Sequence, residues 1–135
     1  HPTLAAGLNN LGFVHEAQGE YESAEAAYRE ALAMNRRLLG DSHPMIAINL
    51  SNLAFVLYAE GKRPEAIALL RESLAMNRRE LGGEHPTVAG GAASLGYWLI
   101  AAGQLDEAGR LLDESLAIRR KAFGDGHVQV ARTMT

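Results

Sequence analysis

Hydrophobic residues along this chain fall into segments in which they recur three and four positions apart. In the middle of the chain, one such segment places apolar side chains at Ile46, Leu50, Leu53 and Leu57. This spacing puts them on one face of a helix, whereas a half-buried strand would alternate at every second position. A second apolar stripe of the same kind follows over 66–76. The pattern predicts two amphipathic helices in succession.

The helix pairs recur every 42 residues. The dipeptide His-Pro marks each start, at positions 1, 43 and 85, and His127 continues the period with valine in place of the proline. The repeats are therefore 1–42, 43–84, 85–126 and the start of a fourth over 127–135. The first two repeats are identical at 22 of 42 positions. Because the chain begins at His1 rather than at Met, we expect it to be one repeat domain, 1–135, taken from a longer protein.

Proline and glycine residues predict where the helices begin and end. Each first helix opens at a proline, which suits the first helical turn, and Ser42 is a candidate N-cap for the second repeat. Each first helix is expected to stop at a glycine, at positions 19, 61 and 103. The second helices are expected to stop at Leu39-Gly40, Leu81-Gly82 and Phe123-Gly124.

A short helix pair cannot bury its apolar face alone, but a row of such pairs buries it continuously. A coiled coil would explain the apolar spacing without explaining a glycine at the same place in every period. The repeat therefore predicts an all-α solenoid of antiparallel helix pairs, three complete and a fourth begun.

Composition and charge narrow the functional classes. Of 135 residues, 47% are hydrophobic and 21% charged, and the net charge is −3. Nucleic-acid-binding proteins usually carry a basic excess, so no nucleic-acid partner is expected. No apolar run is long enough to span a bilayer, so no membrane partner is expected. Cysteine is absent, which fits a reducing, cytoplasmic location.

The repeat resembles the tetratricopeptide repeat (TPR). Its motif is carried by Leu11-Gly12, Ala24 and Tyr28 in the first repeat, and by Leu53-Ala54 and Ala66 in the second. The usual period is about 34 residues. The longer period here, with Asn-Asn-Leu in the first helix and His-Pro between repeats, is similar to that of kinesin light chains. The resemblance implies a right-handed solenoid that binds proteins or peptides and is not an enzyme.

In that family the first helices line a concave groove, which implies a set of ligand-facing residues. They are Asn9, Phe13, Glu16, Ser51, Asn52, Phe55, Tyr58 and Tyr97. One row is aromatic in every repeat, at Phe13, Phe55 and Tyr97, and exposed rings supply binding area at little entropic cost. Alternatively, these rings pack against the neighbouring repeat.

The asparagines of the first helices also have two interpretations. Asn10 and Asn52 occupy equivalent positions, and an amide can pair with the backbone of an extended peptide. The interpretation we favour is a hydrogen bond to the adjacent helix. Some tetratricopeptide domains clamp a C-terminal carboxylate with lysines and asparagines, but the corresponding row reads Asn9, Ser51 and Ala93. We therefore expect no preference for a free carboxylate.

Other candidate chemistry is weaker. The repeated histidines lie one helix pair apart, too far to share a metal ion, and His15 is expected to be a core histidine. The Arg36-Arg37 and Arg78-Arg79 pairs suit the negative ends of their helices better than a phosphate ladder. No catalytic arrangement or phosphate-binding loop is present in the sequence, so neither an enzyme nor a cofactor is expected. Gly90-Gly91 is expected to make its helix the least stable.

The sequence leaves two functions open. The first is a non-catalytic interaction module that binds a peptide or helix in its groove. The second is a structural array that forms homo-oligomers through exposed ends, since 127–135 would begin a helix with no second helix to cover it.

Overall fold

The computed structural model describes residues 2–123, and all its regular elements there are helices. They are α1 Pro2–Ala17, α2 Tyr21–Leu39, α3 Pro44–Ala59, α4 Arg63–Leu81, α5 Pro86–Ala101 and α6 Leu105–Phe123. Each helix begins one full period after its counterpart in the preceding repeat, as the sequence predicted. The predicted fourth repeat, His127 and the stop at Gly124 lie outside the described residues.

The chain forms two compact units, His1–Met76 and Asn77–Thr135. In the first, α1 packs on α2 and α2 packs on α3. The Ser73 hydroxyl of α4 donates a hydrogen bond to the carbonyl of Ala47 in α3, at 2.7 Å. In the second unit, α5 packs on α6. That the whole chain is one domain stays a prediction.

Histidine, rather than serine, caps the first helices of the second and third repeats. The backbone of His43 is extended, and its Nδ1 accepts a hydrogen bond from the Met45 N–H at 3.0 Å. Likewise, His85 Nδ1 accepts from the Thr87 N–H at 3.1 Å. The prediction of Ser42 as the cap was wrong by one residue. Since Pro44 and Pro86 have no N–H, the next amide along the chain is the orphan donor that the imidazole satisfies.

The predicted glycine stops are confirmed. Gly61 has φ of +87°, and Gly19 and Gly103 are also left-handed. A residue with a Cβ rarely adopts this backbone conformation, so glycine is favoured where the chain reverses into the second helix. After Gly61, the Lys62 N–H donates to the Leu57 carbonyl at 2.9 Å and closes the end of α3.

Leucine and alanine side chains form most of the core of the helix pairs. The first repeat adds one large buried side chain, Tyr28. Leu50, Leu53 and Leu57 are completely buried in α3. Tyr28 of α2 is also completely buried, and its ring lies where a Cβ on Gly12 would be. The Leu-Gly motif in α1 therefore makes room for the tyrosine. Within residues 2–123, no helix is both long and apolar enough to cross a membrane.

Candidate functional site

Two aromatic rings of the predicted groove protrude from the first unit. Phe13 of α1 is 50% exposed, and Phe55 of α3 is 39% exposed, although Ala54 and Val56 on either side of Phe55 are completely buried. The Phe13 ring meets the Tyr28 ring edge-on, with centroids 5.9 Å apart and an angle of 84° between the planes. Phe13 thus packs against Tyr28 of its own helix pair and still exposes half of its surface to solvent.

Glu16 lies one helical turn beyond Phe13 and is held by the same tyrosine. Its Oε1 accepts a hydrogen bond from the Tyr28 hydroxyl at 2.9 Å. Burial raises the pKa of Tyr28 far above its ordinary value, and the hydrogen bond and the charge of Glu16 raise it further. The hydroxyl therefore stays protonated and serves as a fixed, neutral donor to the Glu16 carboxylate.

The asparagines form a chain of amides between the helices. Asn35 of α2 donates to Asn49 of α3 at 2.6 Å, and both side chains are buried. The Asn9 side-chain oxygen accepts a hydrogen bond from Asn52 at 2.9 Å and a longer one from Asn49 at 3.4 Å. The interpretation of Asn52 as a helix-to-helix contact is confirmed, since its bond to Asn9 joins α3 to α1. Asn10, the equivalent residue of α1, is exposed, and the same interpretation stays a prediction there.

The remaining predicted residues divide between the two units. In the first, Ser51 is half-buried, and half-buried Tyr58 lies under the guanidinium of Arg63, whose carbon is 4.8 Å from the ring centroid. In the second, Tyr97 of α5 is 64% exposed. Gly90 and Gly91 lie within the continuous helix α5. No observation tests whether Ser51, Tyr58 and Tyr97 contact a ligand, so that role stays a prediction.

A hollow of about 380 Å³ opens beside Phe13. It is lined by Phe13, Glu16, Ala17, Tyr21 and Ala59. Tyr21, the first residue of α2, is 38% exposed and also borders a larger, more acidic hollow at the neighbouring turns. Sequence analysis did not single out Tyr21, because the equivalent positions hold Arg63 and Leu105 and no repeated aromatic marks the place.

His15 is not a core histidine. It is half-buried, and its Nδ1 lies 3.2 Å from Glu20 Oε2 across the turn between α1 and α2. The expectation failed because the His15 position is covered less completely in α1 than Leu57, its fully buried counterpart in α3.

The arginines of the second helices are engaged with glutamates of the next repeat. Arg29 pairs with Glu65 at 2.9 Å and Arg36 with Glu72 at 3.4 Å, both across α2 and α4. In the second unit, Arg78 pairs with Glu114. In each pair the glutamate lies 36 residues after the arginine. This offset is a signal in the sequence that we missed, and it accounts for these arginines without a phosphate ligand.

A denser charge cluster joins α2 to the turn after α3. The Glu25 carboxylate accepts hydrogen bonds from Arg29 at 2.8 Å and Lys62 at 3.1 Å. Burial opposes its ionisation, but hydrogen bonds from Arg29, Glu60 and Lys62 prevail and lower the pKa of Glu25 to about 2. Burial and the neighbouring Glu25 raise the pKa of Glu60. The pKa values of the two neighbouring carboxyls are therefore shifted in opposite directions.

Comparison with known proteins agrees with this architecture. Family models described as tetratricopeptide repeat match residues 3–79 and 88–129. No curated protein sequence matches the chain. A solved structure of BtubC (BKLC) from P. vanneervenii is similar, with a TM-score of 0.80 and 26% identity over 85% of this chain and 46% of that one.

Two further structures are of a putative kinesin light chain from P. anserina with nearly identical TPR-like repeats. One has a TM-score of 0.79 and 27% identity over 90% of this chain and 58% of that one. The other, a substituted form of the same protein, has a TM-score of 0.80 and 27% identity over 90% and 57%. This chain therefore spans about half the length of these structures.

The predicted fold class, an all-α helical-repeat solenoid, is confirmed by the six described helices and by these neighbours. Repeats of this kind form protein-interaction or scaffold modules and are generally not catalytic. The long period from one His-Pro to the next, the two family matches and the similarity to kinesin-light-chain repeats lead to one assignment. The chain belongs to the tetratricopeptide repeat family, in its kinesin-light-chain-like subtype.

Proposed function

We propose that this chain binds a peptide segment of a partner protein along the exposed face of its first helices. The observation that carries the proposal is the pair of half-exposed rings at equivalent positions of the first unit, Phe13 on α1 and Phe55 on α3. Exposed aromatic side chains on a rigid scaffold are the usual energetic centres of protein interfaces.

The surroundings of these rings favour a preformed site. The hydrogen-bonded amides of Asn35, Asn49 and Asn9 are partly buried, and Asn52 donates a further hydrogen bond to Asn9. Tyr28 contacts Phe13 and also holds Glu16. A surface held in this way loses little freedom on binding, which favours affinity. Asn9 and Asn52 act as positioning residues, and Phe13, Glu16, Ser51, Phe55 and Tyr58 act as the contact surface.

Peptide selection tests this proposal whatever the identity of the partner. A library of random peptides displayed on phage is selected on the purified chain, and the enriched peptides are synthesised and titrated against variants. We expect Phe13→Ala and Phe55→Ala each to weaken binding about tenfold, as interface aromatics do. Phe123→Ala is the matched control, because Phe123 is 49% exposed at the end of α6. If the control variant weakens binding as much as the others, the binding face is not the one proposed.

Three further expectations remain predictions under this proposal. Tyr97, exposed on α5 of the second unit, is a contact in its own right. A free C-terminal carboxylate on the peptide tightens binding by less than about tenfold, since the clamp lysine has no counterpart. The location of the chain is cytoplasmic, as the absence of cysteine favours.

Self-association is the second candidate function, and one observation favours it. Leu4, Leu11 and Val14 on α1 are each about half exposed, whereas their counterparts one period later, Ile46, Leu53 and Val56, are completely buried. In this unit α2 packs on α3, and a second copy that packs on α1 in the same way would cover these side chains. Sedimentation equilibrium of the parent chain and of the Leu11→Glu variant tests whether this face of α1 mediates self-association. A chain that stays monomeric at the highest accessible concentration excludes self-association.

A further inference from the structure

The first two repeats differ in one local arrangement of charge and aromatic rings. In the second repeat, the guanidinium of Arg63 lies over the Tyr58 ring, 4.8 Å from its centroid. The equivalent positions of the first repeat hold Tyr21 and Glu16. At the two positions where the second repeat has a cation over an aromatic ring, the first repeat therefore has an aromatic ring and a carboxylate.

The hollow beside these two residues has the composition of a cation site. Phe13 and Tyr21 contribute exposed rings, Glu16 contributes a carboxylate, and Ala17 and Ala59 leave space. None of these lining residues is basic. The volume of about 380 Å³ is within the range of small-ligand sites. Because the Tyr28 hydroxyl that donates to Glu16 is neutral, it does not compensate the charge of the carboxylate.

The nearby charges reinforce this preference. The adjoining hollow, which shares Tyr21, is bordered by the carboxylates of Glu20 and Glu22, with Lys62 as its one basic lining residue among those described. Lys62 is already paired with Glu25 at 3.1 Å. His15 lies beside Glu20, at 3.2 Å. The local field is therefore negative and disfavours an anionic ligand.

We propose that the hollow lined by Phe13, Glu16, Ala17, Tyr21 and Ala59 binds the cationic side chain, arginine or lysine, of a peptide partner. The cation lies against the ring faces and the Glu16 carboxylate. Its methylene stem covers the two alanines. This proposal deepens the proposed function and rests on it, since it names the residue class that the first-helix face selects.

A matched pair of small probes tests the proposal directly. Acetyl-arginine amide and acetyl-citrulline amide have the same shape and differ in charge. Each is titrated into the ¹⁵N-labelled full chain at low ionic strength, and the amide shifts of Ala17, Tyr21 and Ala59 are followed. We expect the arginine probe to bind about fivefold more tightly than the citrulline probe, as cation–π and carboxylate contacts at a partly exposed site allow. Added salt reduces the difference.

Variants identify the groups responsible. In Glu16→Gln, the preference for arginine over citrulline should fall to about twofold or less, and in Phe13→Ala both probes should bind more weakly. Glu30→Gln removes a charge from an exposed position of α2 outside the hollow and should leave the preference unchanged. Circular dichroism of each variant checks that it has folded.

Three outcomes would overturn the proposal. The first is equal binding of the arginine and citrulline probes. The second is tighter binding of acetyl-norleucine amide than of the arginine probe, which would make the hollow an apolar site. Alternatively, no probe shifts these amides up to its solubility limit. Each of these results leaves the peptide selections with Phe13→Ala and Phe55→Ala standing, so failure of the cation site is distinguishable from failure of the peptide-binding face.

Discussion

Gly12 of α1 packs directly against the ring of Tyr28 in α2, across the first helix pair. A Cβ at position 12 would overlap the completely buried tyrosine ring. The same tyrosine contacts Phe13 and donates its hydroxyl to Glu16. The close approach of α1 to α2 therefore also positions Phe13 and Glu16, two of the proposed contact residues.

Gly12→Ala should lower the free energy of unfolding by about 1–3 kcal/mol, because a buried ring cannot move aside without disturbing its neighbours. Gly7→Ala in the same helix is the control. A Cβ there meets nothing within 4 Å, so alanine should stabilise the helix by up to about 1 kcal/mol. Urea unfolding of both variants checks the opposite signs. Equal effects would mean that helix propensity, and not the tyrosine, decides.

His43→Ala should cost about 1 kcal/mol of stability through loss of the hydrogen bond from the Met45 N–H. His43→Asn should restore most of the loss, because asparagine accepts the same kind of bond at a helix N-terminus. Thermal unfolding followed by circular dichroism at neutral pH measures both. If alanine and asparagine behave alike, the imidazole contributes no cap.

Glu25 and Glu60 should give opposite pH dependences. The pKa of Glu25 is lowered from 4.5 to about 2 in the folded chain, so the unfolded chain binds more protons between these values. The stability that Glu25 contributes is therefore present above 4.5 and lost as the pH falls towards 2. The raised pKa of Glu60 has the reverse sign, and its contribution is lost as the pH rises.

Glu25→Gln should consequently destabilise the chain at neutral pH, by an amount that shrinks towards about pH 3. Glu60→Gln should be neutral or stabilising at neutral pH, since an amide removes the cost of a buried charge and can donate a hydrogen bond to Glu25. Chemical unfolding at the two pH values measures this. A Glu60→Gln variant that loses as much stability at neutral pH as Glu25→Gln would contradict the opposite pKa shifts.

The buried amide pair of Asn35 and Asn49 should behave as a unit. Asn49→Leu leaves the Asn35 amide buried without its acceptor and should cost about 1–3 kcal/mol. Asn35→Leu should cost a similar amount. The double variant should lose clearly less than the sum of the two, because no polar group is then left unpaired. Additive losses in a double-mutant cycle would show that the bond contributes little.

Helix order and helix ends followed from the sequence because single residues encode them. Pro44 fixes the start of α3 through its missing N–H, and Gly61 fixes the end through its left-handed backbone. The cap was misplaced because serine is a common capping residue and histidine is not. The geometry that made His43 the cap becomes visible only when the ring nitrogen is placed against the Met45 amide.

The candidate site could be predicted only in part. The exposed rows at Phe13 and Phe55 followed from the repeat, since equivalent positions share a face. The Asn35–Asn49 bond could not be predicted, because it depends on the register of α2 against α3 rather than on spacing within a helix. Tyr21 was missed because it breaks the repeat, since the equivalent positions hold Arg63 and Leu105.

The central claim is that the first-helix face carries the binding function, and NMR of the chain with a selected peptide tests it most directly. With the aromatic side chains labelled with ¹³C, saturating peptide should perturb the ring signals of Phe13 and Phe55 strongly and that of Phe123 little. Perturbation concentrated at Phe123, with Phe13 and Phe55 unchanged, would contradict the account and place binding on the second helices.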